Sequence, residues 1–182
     1  MSTKMLALRR SHTQGVDGER TLSTRLHTQL GQRAVVLDDR KIPGTRGNID
    51  HVVVAMSGVW VIEAKECEGR VERRDVGGWF KIDERLYVAG RDRTHLVDGL
   101  DRRVNAVEKA LEKDGLDRVP VYASLCFVNS EWGWFAKPFN LNGVWIAWAD
   151  RLTELMLEWN AVPVSDFDRL VRTVEARLPS SA

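Results

Sequence analysis

The apolar residues of this chain recur first at helical spacing and then at strand spacing. Leu22, Leu26 and Leu30 lie four positions apart, which predicts a helix with one apolar stripe. Asp17 stands where an N-cap would begin that helix. Residues 34–37 predict a first strand, and a glycine- and proline-containing loop then leads into two strongly apolar segments around Ser57. The first third of the chain therefore predicts a helix, a strand and a β-hairpin.

The remaining two thirds of the chain predict further strands and three more helices. Residues 69–88 alternate less regularly, and we interpret them as an excursion of short strands. Residues 119–128 and 144–148 are apolar on both faces, as in central strands that are covered on both sides. Helical 4-3-4 spacing or clustering of apolar residues predicts one helix between positions 95 and 113 and two at the end of the chain: Leu100, Val104, Val107 and Leu111; Leu152, Leu155, Met156 and Trp159; Phe167, Val171, Val174 and Leu178. The order predicts an α/β (α+β) fold with a central mixed β-sheet flanked by helices.

Composition limits the domain organisation and the classes of partner. A length of 182 residues suits a single domain, which we place at residues 15–178 with loose ends at 1–14 and 179–182. A formal net charge of +1 gives no general attraction to polyanions, so a nucleic-acid site must be a local patch. The two cysteines are not at zinc-finger spacing and are expected to be free thiols. No segment is apolar enough to span a membrane or to act as a secretory signal, so we expect a cytoplasmic protein.

Three charged residues interrupt the apolar hairpin: Asp50, Glu63 and Lys65. Burying an unpaired charge is costly, so such groups are normally paired or bound to a metal. A two-residue loop at Ser57–Gly58 would place all three on one face of the sheet, with Asp50 opposite Lys65, whereas a three-residue loop would separate Asp50 from the others. Glu19 falls on the apolar stripe of the first helix and therefore points towards the core.

Carboxylates of this kind, together with a backbone carbonyl, form the hard-oxygen site that Mg²⁺ or Mn²⁺ prefers. Asp50, Glu63 and the carbonyl of Ala64 are the predicted ligands, and phosphate chemistry is the natural use of such a site. A nearby ammonium, here Lys65, can orient a water and stabilise developing charge. The competing interpretation is that Glu63 and Lys65 form only an ion pair on an exposed sheet face.

Three ordered motifs resemble the nuclease-related domain (NERD) family of the PD-(D/E)XK nuclease superfamily: Gly15-x-x-Gly18-Glu19, Gly47-Asn-Ile-Asp50, and Gly58-Val-Trp-Val-Ile-Glu63-Ala-Lys65. The resemblance is firm over residues 15–70. It implies a restriction-endonuclease-like αβββαβ core. It further implies that Asp50 and Glu63 are magnesium ligands, that Lys65 is the catalytic lysine, and that Glu19 is the acid contributed by the first helix.

Arginines near these motifs are candidates for contacts with phosphates. They flank the hairpin or begin the second long helix: Arg46, Arg70, Arg73, Arg74, Arg102 and Arg103. Aspartates alternate with the arginines near the second helix, so a solvated surface of mixed charge is the competing interpretation there. Three tryptophans in predicted loops, Trp79, Trp132 and Trp134, remain open for base stacking. We interpret His51, which points to the opposite face from Asp50, as a packed or hydrogen-bonded residue rather than a metal ligand.

The leading hypothesis is a Mg²⁺- or Mn²⁺-dependent nuclease that hydrolyses phosphodiester bonds in nucleic acid, with DNA as the favoured substrate. The alternative is a non-catalytic module that keeps the nuclease fold and binds nucleic acid or a protein. A third possibility is a structural domain whose charged residues form only an ion-pair network. Endonucleolytic or exonucleolytic cleavage, sequence preference, a protein partner and homo-oligomerisation are left open by the sequence.

Overall fold

The structure is a computed structural model that describes residues 3–181, with side chains described from residue 15 to residue 181. Its helices are α1 (Thr3–Leu30), α2 (His95–Asp98), α3 (Asp101–Glu112), α4 (Ala149–Glu158) and α5 (Val164–Arg177). Its strands are β1 (Ala34–Lys41), β2 (Asn48–Ala55), β3 (Gly58–Glu66), β4 (Val71–Asp75), β5 (Glu84–Val88), β6 (Arg91–Asp92), β7 (Val121–Val128), β8 (Phe139–Leu141) and β9 (Val144–Ala147).

A mixed six-stranded sheet forms the centre of the fold, in the order β1-β2-β3-β7-β9-β8. The pairs β1–β2, β2–β3 and β8–β9 are antiparallel, whereas β3–β7 and β7–β9 are parallel. The predicted excursion of short strands is a separate sheet in the order β4-β5-β6. The element order confirms the expected αβββαβ core and is consistent with a restriction-endonuclease-like fold.

Two apolar layers cover the two faces of the central sheet because successive strand residues point to opposite sides. Val52 and Val54 belong to the layer that includes Val107 of α3 and Leu170 of α5. Val53 belongs to the opposite layer, with the predicted leucine stripe of α1 and with α4: Leu22, Leu26, Leu30 and Leu152. The sheet is therefore buried between α3 and α5 on one side and α1 and α4 on the other.

The hairpin turn differs by one residue from the prediction. Ala55 pairs with Gly58, so the two loop residues are Met56 and Ser57 rather than Ser57–Gly58. Ser57 is buried because its hydroxyl accepts a hydrogen bond from Trp60 Nε1 at 3.0 Å and donates one to the carbonyl oxygen of Met156 at 2.7 Å. These bonds fix the serine in the loop and leave the glycine to begin β3.

The shifted turn changes the register between β2 and β3. The last pair of the ladder is His51 with Ile62, and the same register continued by one residue would bring Asp50 opposite Glu63 instead of Lys65. A shift by one whole pair preserves the alternation of faces, because strand side chains repeat every two residues. Glu63 and Lys65 alternate in phase with Val59 and Val61 and so lie on the face that carries α3 and α5. Ile49 belongs to the same apolar layer as Val52, so β2 does not alternate regularly through Asp50, and its common face with Glu63 and Lys65 stays a prediction.

The ends of the chain correct or extend the predictions. Asp17 does not cap a helix, because α1 continues through it from Thr3. The predicted loose segment 1–14 lies outside the residues whose side chains are described, and Ala182 is also outside the described part. Residues 179–181 run beside β1, where Lys41 N–H donates to the carbonyl of Pro179 at 2.8 Å and Ser181 N–H donates to that of Asp39 at 2.9 Å. Among residues 3–181, no helix combines the length and apolar character needed to cross a bilayer.

Candidate active site

Asp50, Glu63 and Lys65 lie where β2 begins and β3 ends, and all three side chains are partly buried. Asp50 Oδ2 accepts a hydrogen bond from the backbone N–H of Ala64 at 3.3 Å, which holds its carboxylate against the end of β3. Glu63 Oε1 accepts a hydrogen bond from Lys65 Nζ. The two carboxylates and the lysine therefore lie together at the end of β3.

A residue that the sequence placed only among possible phosphate contacts completes this group. Arg103, near the start of α3, forms an ion pair between its Nη1 and Glu63 Oε2 at 3.1 Å. Its Nε donates to the carbonyl of Asn48 at 3.1 Å, and its Nη1 donates to the carbonyl of Gly99 at 3.1 Å. Two backbone carbonyls therefore hold the guanidinium in position beside Glu63.

The surroundings of Asp50 disfavour a negative charge on its carboxyl group. Burial, followed by the charge of Glu63, raises the pKa of Asp50, while His51, Arg103 and the Ala64 N–H partly counteract the shift. Lys65 and Arg103 together balance the charge of Glu63, but neither makes a hydrogen bond or ion pair with Asp50. A cation placed between the two carboxylates would relieve this repulsion.

The donor set fits a hard divalent cation with few protein ligands. Within residues 15–181, no group of three or more acidic, histidine or cysteine side chains could hold a metal. The predicted ligands are two carboxylates, of Asp50 and Glu63, and one backbone carbonyl, of Ala64. Mg²⁺ is commonly bound by one or two carboxylates with water and phosphate oxygens in the remaining positions, so this set is sufficient for it.

Glu19 approaches the site from the other face of the sheet. Its neighbour Gly18 lies against the end of β3, where an added Cβ would be 3.0 Å from Glu66 Cβ. Burial and then the charge of Asp50 raise the pKa of Glu19, whereas His51 and Lys65 lower it. Glu19 makes no hydrogen bond or ion pair with Asp50, Glu63 or Lys65. The structure brings it into electrostatic reach of the site, and its catalytic role stays a prediction.

A basic cleft of about 880 Å³ adjoins Glu63 through Arg103. It lies between the loop from β1 to β2 and the outer side of α3, and the side chains lining it include six cations: Arg46, Arg102, Arg103, Lys109, Lys113 and Arg177. No carboxylate is among the described residues that line it. Three of the predicted phosphate-contact residues are therefore brought together beside the acidic group.

Sequence reasoning missed the other three cations of the cleft. Lys109 and Lys113 lie seven and eleven positions after Arg102, so these residues form a basic stripe along α3 at helical spacing. That signal was present in the sequence. Arg177 comes from the end of α5, where it pairs with Asp114 at 2.8 Å, and only the tertiary fold brings it to the cleft.

The remaining predicted arginines lie apart from the acidic group and are paired with neighbours. Arg70 lies 3.3 Å from Glu72, and Arg73 lies 3.3 Å from Glu84. Arg74 also pairs with Glu72, at 2.5 Å. Arg73 covers the ring of Phe139, and Arg74 covers that of Tyr87, with guanidinium carbons 5.6 and 4.5 Å from the ring centroids. They belong to the region of the small sheet rather than to the basic cleft.

His51 is held within the α1 side of the fold, which confirms its interpretation as a packed, hydrogen-bonded residue. It is buried, and its Nδ1 lies 2.6 Å from Asp38 Oδ1. Asp38 also accepts hydrogen bonds from Ser23 Oγ at 2.6 Å and from His27 Nε2 at 3.1 Å. Burial tends to raise the pKa of Asp38, but the hydrogen bonds from His51, Ser23 and His27 outweigh it and hold that pKa well below its usual range.

Comparison with known proteins agrees with this arrangement. The family model of the nuclease-related domain, NERD, matches residues 14–128, which is well over half of the chain. The match includes Glu19, Asp50, Glu63, Lys65 and Arg103. No curated protein and no solved structure matches the chain. The matched range runs from α1 to the end of β7, and it is consistent with placement in the PD-(D/E)XK nuclease superfamily. The chain therefore belongs to the nuclease-related domain (NERD) family.

Proposed function

We propose that the protein is a metal-dependent nuclease that hydrolyses phosphodiester bonds in nucleic acid, with DNA as its favoured substrate. One observation carries the proposal. Asp50 is hydrogen-bonded to the end of β3 beside Glu63 and Lys65, and Arg103 joins Glu63 to a cleft lined by cations without carboxylates. Phosphate contacts supply most of the affinity of nucleic-acid-binding proteins, so such a cleft suits a nucleic-acid backbone.

The chain's own residues have separate roles in this proposal. Asp50, Glu63 and the carbonyl of Ala64 would hold Mg²⁺ or Mn²⁺, which when bound supplies a Lewis acid and lowers the pKa of a water. Lys65 donates hydrogen bonds to the attacking water or to the scissile phosphate. The cations of the cleft bind the phosphates on either side and so fix the position of the bond to be cut.

The ion pairs around Glu63 give Lys65 and Arg103 a second role. Both side chains balance the charge of Glu63. If Glu63 served as a metal ligand, both cations would be available to phosphate oxygens, Lys65 near the reacting phosphate and Arg103 at the mouth of the cleft.

The alternative function is a non-catalytic module that keeps the nuclease fold and binds nucleic acid or a protein partner. The ion pairs are compatible with it, because they hold the side chains of Lys65 and Arg103 against Glu63. Such a module would use the basic cleft in the same way but would leave the phosphodiester bond intact. We propose the cytoplasm as the compartment for either function, and the two free cysteines are compatible with it.

A cleavage assay separates the two functions. Supercoiled, linear and single-stranded DNA, and an RNA of matching sequence, are incubated with the protein and Mg²⁺ or Mn²⁺. We expect cleavage that stops with a chelator and falls at least about a hundredfold in Asp50→Ala and Lys65→Ala. Arg151→Ala removes an exposed arginine of α4 on the other face of the sheet and serves as the matched control. Equal activity in the wild type and both site variants would contradict the nuclease assignment.

A further inference from the structure

The loop from β7 to β8 exposes two neighbouring aromatic side chains. Trp134 is 94% exposed and Phe135 is 91% exposed. Large rings usually bury much of their apolar area, so an exposed pair that also lines a groove is a candidate for ligand contact. By contrast, Trp132 in the same loop packs against Trp148, with ring centroids 4.7 Å apart.

The exposed rings line a groove together with cations. The groove has a volume of about 610 Å³ and runs between the start of β4 and residues 132–139. Its charged side chains are three cations, Arg70, Arg73 and Lys137, and one carboxylate, Glu72, which lies 3.3 Å from Arg70. Gly133 allows the loop to approach Arg70, since an added Cβ would be 2.7 Å from Arg70 Nη2. Exposed rings and an excess of positive charge therefore occur on one surface.

The groove is attached to the strand that carries the candidate catalytic residues. Ser130 Oγ donates to the carbonyl of Cys67 at 2.5 Å, and Asn129 Nδ2 donates to Glu66 Oε1 at 3.0 Å. Two backbone hydrogen bonds then join Glu131 to the chain that follows β3, with Gly69 at 3.0 Å and Val71 at 2.9 Å. These bonds fix the loop that carries the exposed rings to the residues that follow Glu63 and Lys65 along the chain.

We propose that this groove binds an unpaired segment of the nucleic-acid substrate, whose bases stack on Trp134 and Phe135. This inference rests on the proposed function and specifies the strand state that the site accepts. Each unpaired nucleotide presents a ring and a phosphate, which suits a groove that combines exposed aromatic side chains with an excess of cations. Bases within a duplex are already stacked on both sides and offer no free ring face. The basic cleft at α3 contacts the backbone, and the aromatic groove recognises single-stranded character.

Other occupants fit the groove less well. A bilayer would favour a continuous apolar surface, whereas charged side chains also line this groove. A protein partner would need apolar side chains that match these two rings. The attachment of the groove to the strand that carries Glu63 and Lys65 would have no purpose for such a partner. A nucleic-acid strand extends naturally from one site to the other, because its phosphates and bases continue along its length.

Binding experiments on full-length protein test the inference. Fluorescence anisotropy is measured with short single-stranded and duplex DNA of the same sequence, in a buffer with a chelator so that no strand is cut. We expect Trp134→Ala and Phe135→Ala each to weaken binding of single strands about tenfold and to change duplex binding less than about twofold. Trp134→Phe keeps a ring and should retain most of the single-strand affinity.

A matched control comes from the tip of the β4–β5 hairpin. Trp79 is 99% exposed, as Trp134 is, but it does not line the groove. Trp79→Ala should therefore leave single-strand binding unchanged, and an equal loss in this variant would overturn the groove assignment. Unchanged affinity of Trp134→Ala and Phe135→Ala for single strands would also overturn it. So would a loss of binding to anionic phospholipid vesicles in these variants without any loss of DNA binding.

The two proposals fail in different ways. If the wild type cuts no nucleic acid but the groove variants still lose single-strand affinity, the nuclease proposal is wrong and the groove assignment stands. If the wild type cuts DNA and the groove variants bind single strands normally, the groove assignment is wrong and the nuclease proposal stands. Circular dichroism and thermal unfolding of each variant confirm that the fold is retained.

Discussion

The guanidinium of Arg103 lies 3.1 Å from the carboxylate of Glu63, although the two residues come from different layers of the fold. Arg103 belongs to α3 and Glu63 to β3. Because Arg103 also lines the basic cleft, this ion pair is the connection between the surface that would bind phosphates and the carboxylates that would hold a metal. Under the proposed function, binding and chemistry would depend on the same guanidinium.

Replacement of Arg103 should lower both affinity and cleavage. We expect Arg103→Ala to weaken DNA binding and to reduce the slope of log affinity against log salt concentration by about one, because one phosphate contact is lost. Arg103→Lys keeps the charge but loses the planar fork, so it should recover only part of the affinity. The measurement is a salt titration of DNA binding. A slope that is unchanged in Arg103→Ala, as expected for the α4 control Arg151→Ala, would place Arg103 outside the interface.

Asp50 should be costly to the fold in the absence of metal. Burial and the charge of Glu63 raise its pKa, so its ionised form is disfavoured in the folded protein. We expect Asp50→Asn to be more stable than the wild type at neutral pH with a chelator present. Substitutions of this kind commonly contribute about 0.5–2 kcal/mol. The difference should shrink as the pH falls towards the folded-state pKa, because the wild-type carboxyl then becomes neutral. Urea unfolding at several pH values measures it.

Divalent cations should reverse this order of stability. Mg²⁺ or Mn²⁺ that binds only the folded protein raises its stability by mass action. We expect a concentration-dependent rise in the melting temperature of the wild type and a much smaller rise in Asp50→Asn. A melting temperature that is independent of Mg²⁺ and Mn²⁺ in the wild type would count against Asp50 and Glu63 as ligands. Ca²⁺ serves as a comparison for nonspecific effects of divalent ions.

The carboxylate pair was predictable from the sequence, whereas the cleft was only partly so. The hairpin predicted that Asp50 lies beside the end of β3, and its hydrogen bond with the Ala64 N–H places it there even though the turn lies one residue earlier than predicted. The cleft instead combines side chains from a loop, α3 and the end of α5, which no local pattern relates. Arg177 in particular reaches the cleft only because α5 packs beside α3. The cap predicted at Asp17 was wrong because α1 begins at Thr3, well before the leucine stripe from which the helix was predicted.

The hairpin turn should depend strongly on the buried hydroxyl of Ser57. Ser57→Ala leaves the Trp60 N–H and the Met156 carbonyl without this partner in the core. Leaving a buried polar group unsatisfied costs about 1–3 kcal/mol, so we expect a loss of stability of that size. Urea unfolding gives the value. Ser130→Ala removes the hydroxyl of a partly buried serine in a loop and serves as the comparison. An equally small loss of stability in both variants would contradict the role of Ser57.

Asp38 should stabilise the fold above about pH 4. Its pKa is held below its usual range by hydrogen bonds from His51, Ser23 and His27, which outweigh the opposing effect of burial. A depressed carboxyl pKa contributes stability that is present above the unfolded-state pKa, ~3.9, and is lost as the pH falls through the folded-state pKa. Because Asp38 is 37% exposed, we expect Asp38→Asn to cost about 1 kcal/mol at neutral pH. The difference from the wild type in urea unfolding should decrease below about pH 4.

Glu19 offers the sharpest test of how the α1 side of the sheet contributes to the chemistry. Its pKa is raised by burial and by Asp50, yet it makes no hydrogen bond or ion pair with Asp50, Glu63 or Lys65. A group that acts on a metal only through an intervening water has a moderate effect, and changes to such groups typically cost about 10–100-fold. We therefore expect Glu19→Gln to lower cleavage by about that factor, with the Mn²⁺ concentration for half-maximal activity raised. Asp50→Asn should cost far more. Equal losses in the two variants would make Glu19 a direct ligand, and full activity in Glu19→Gln would limit the site to residues on the α3 side of the sheet.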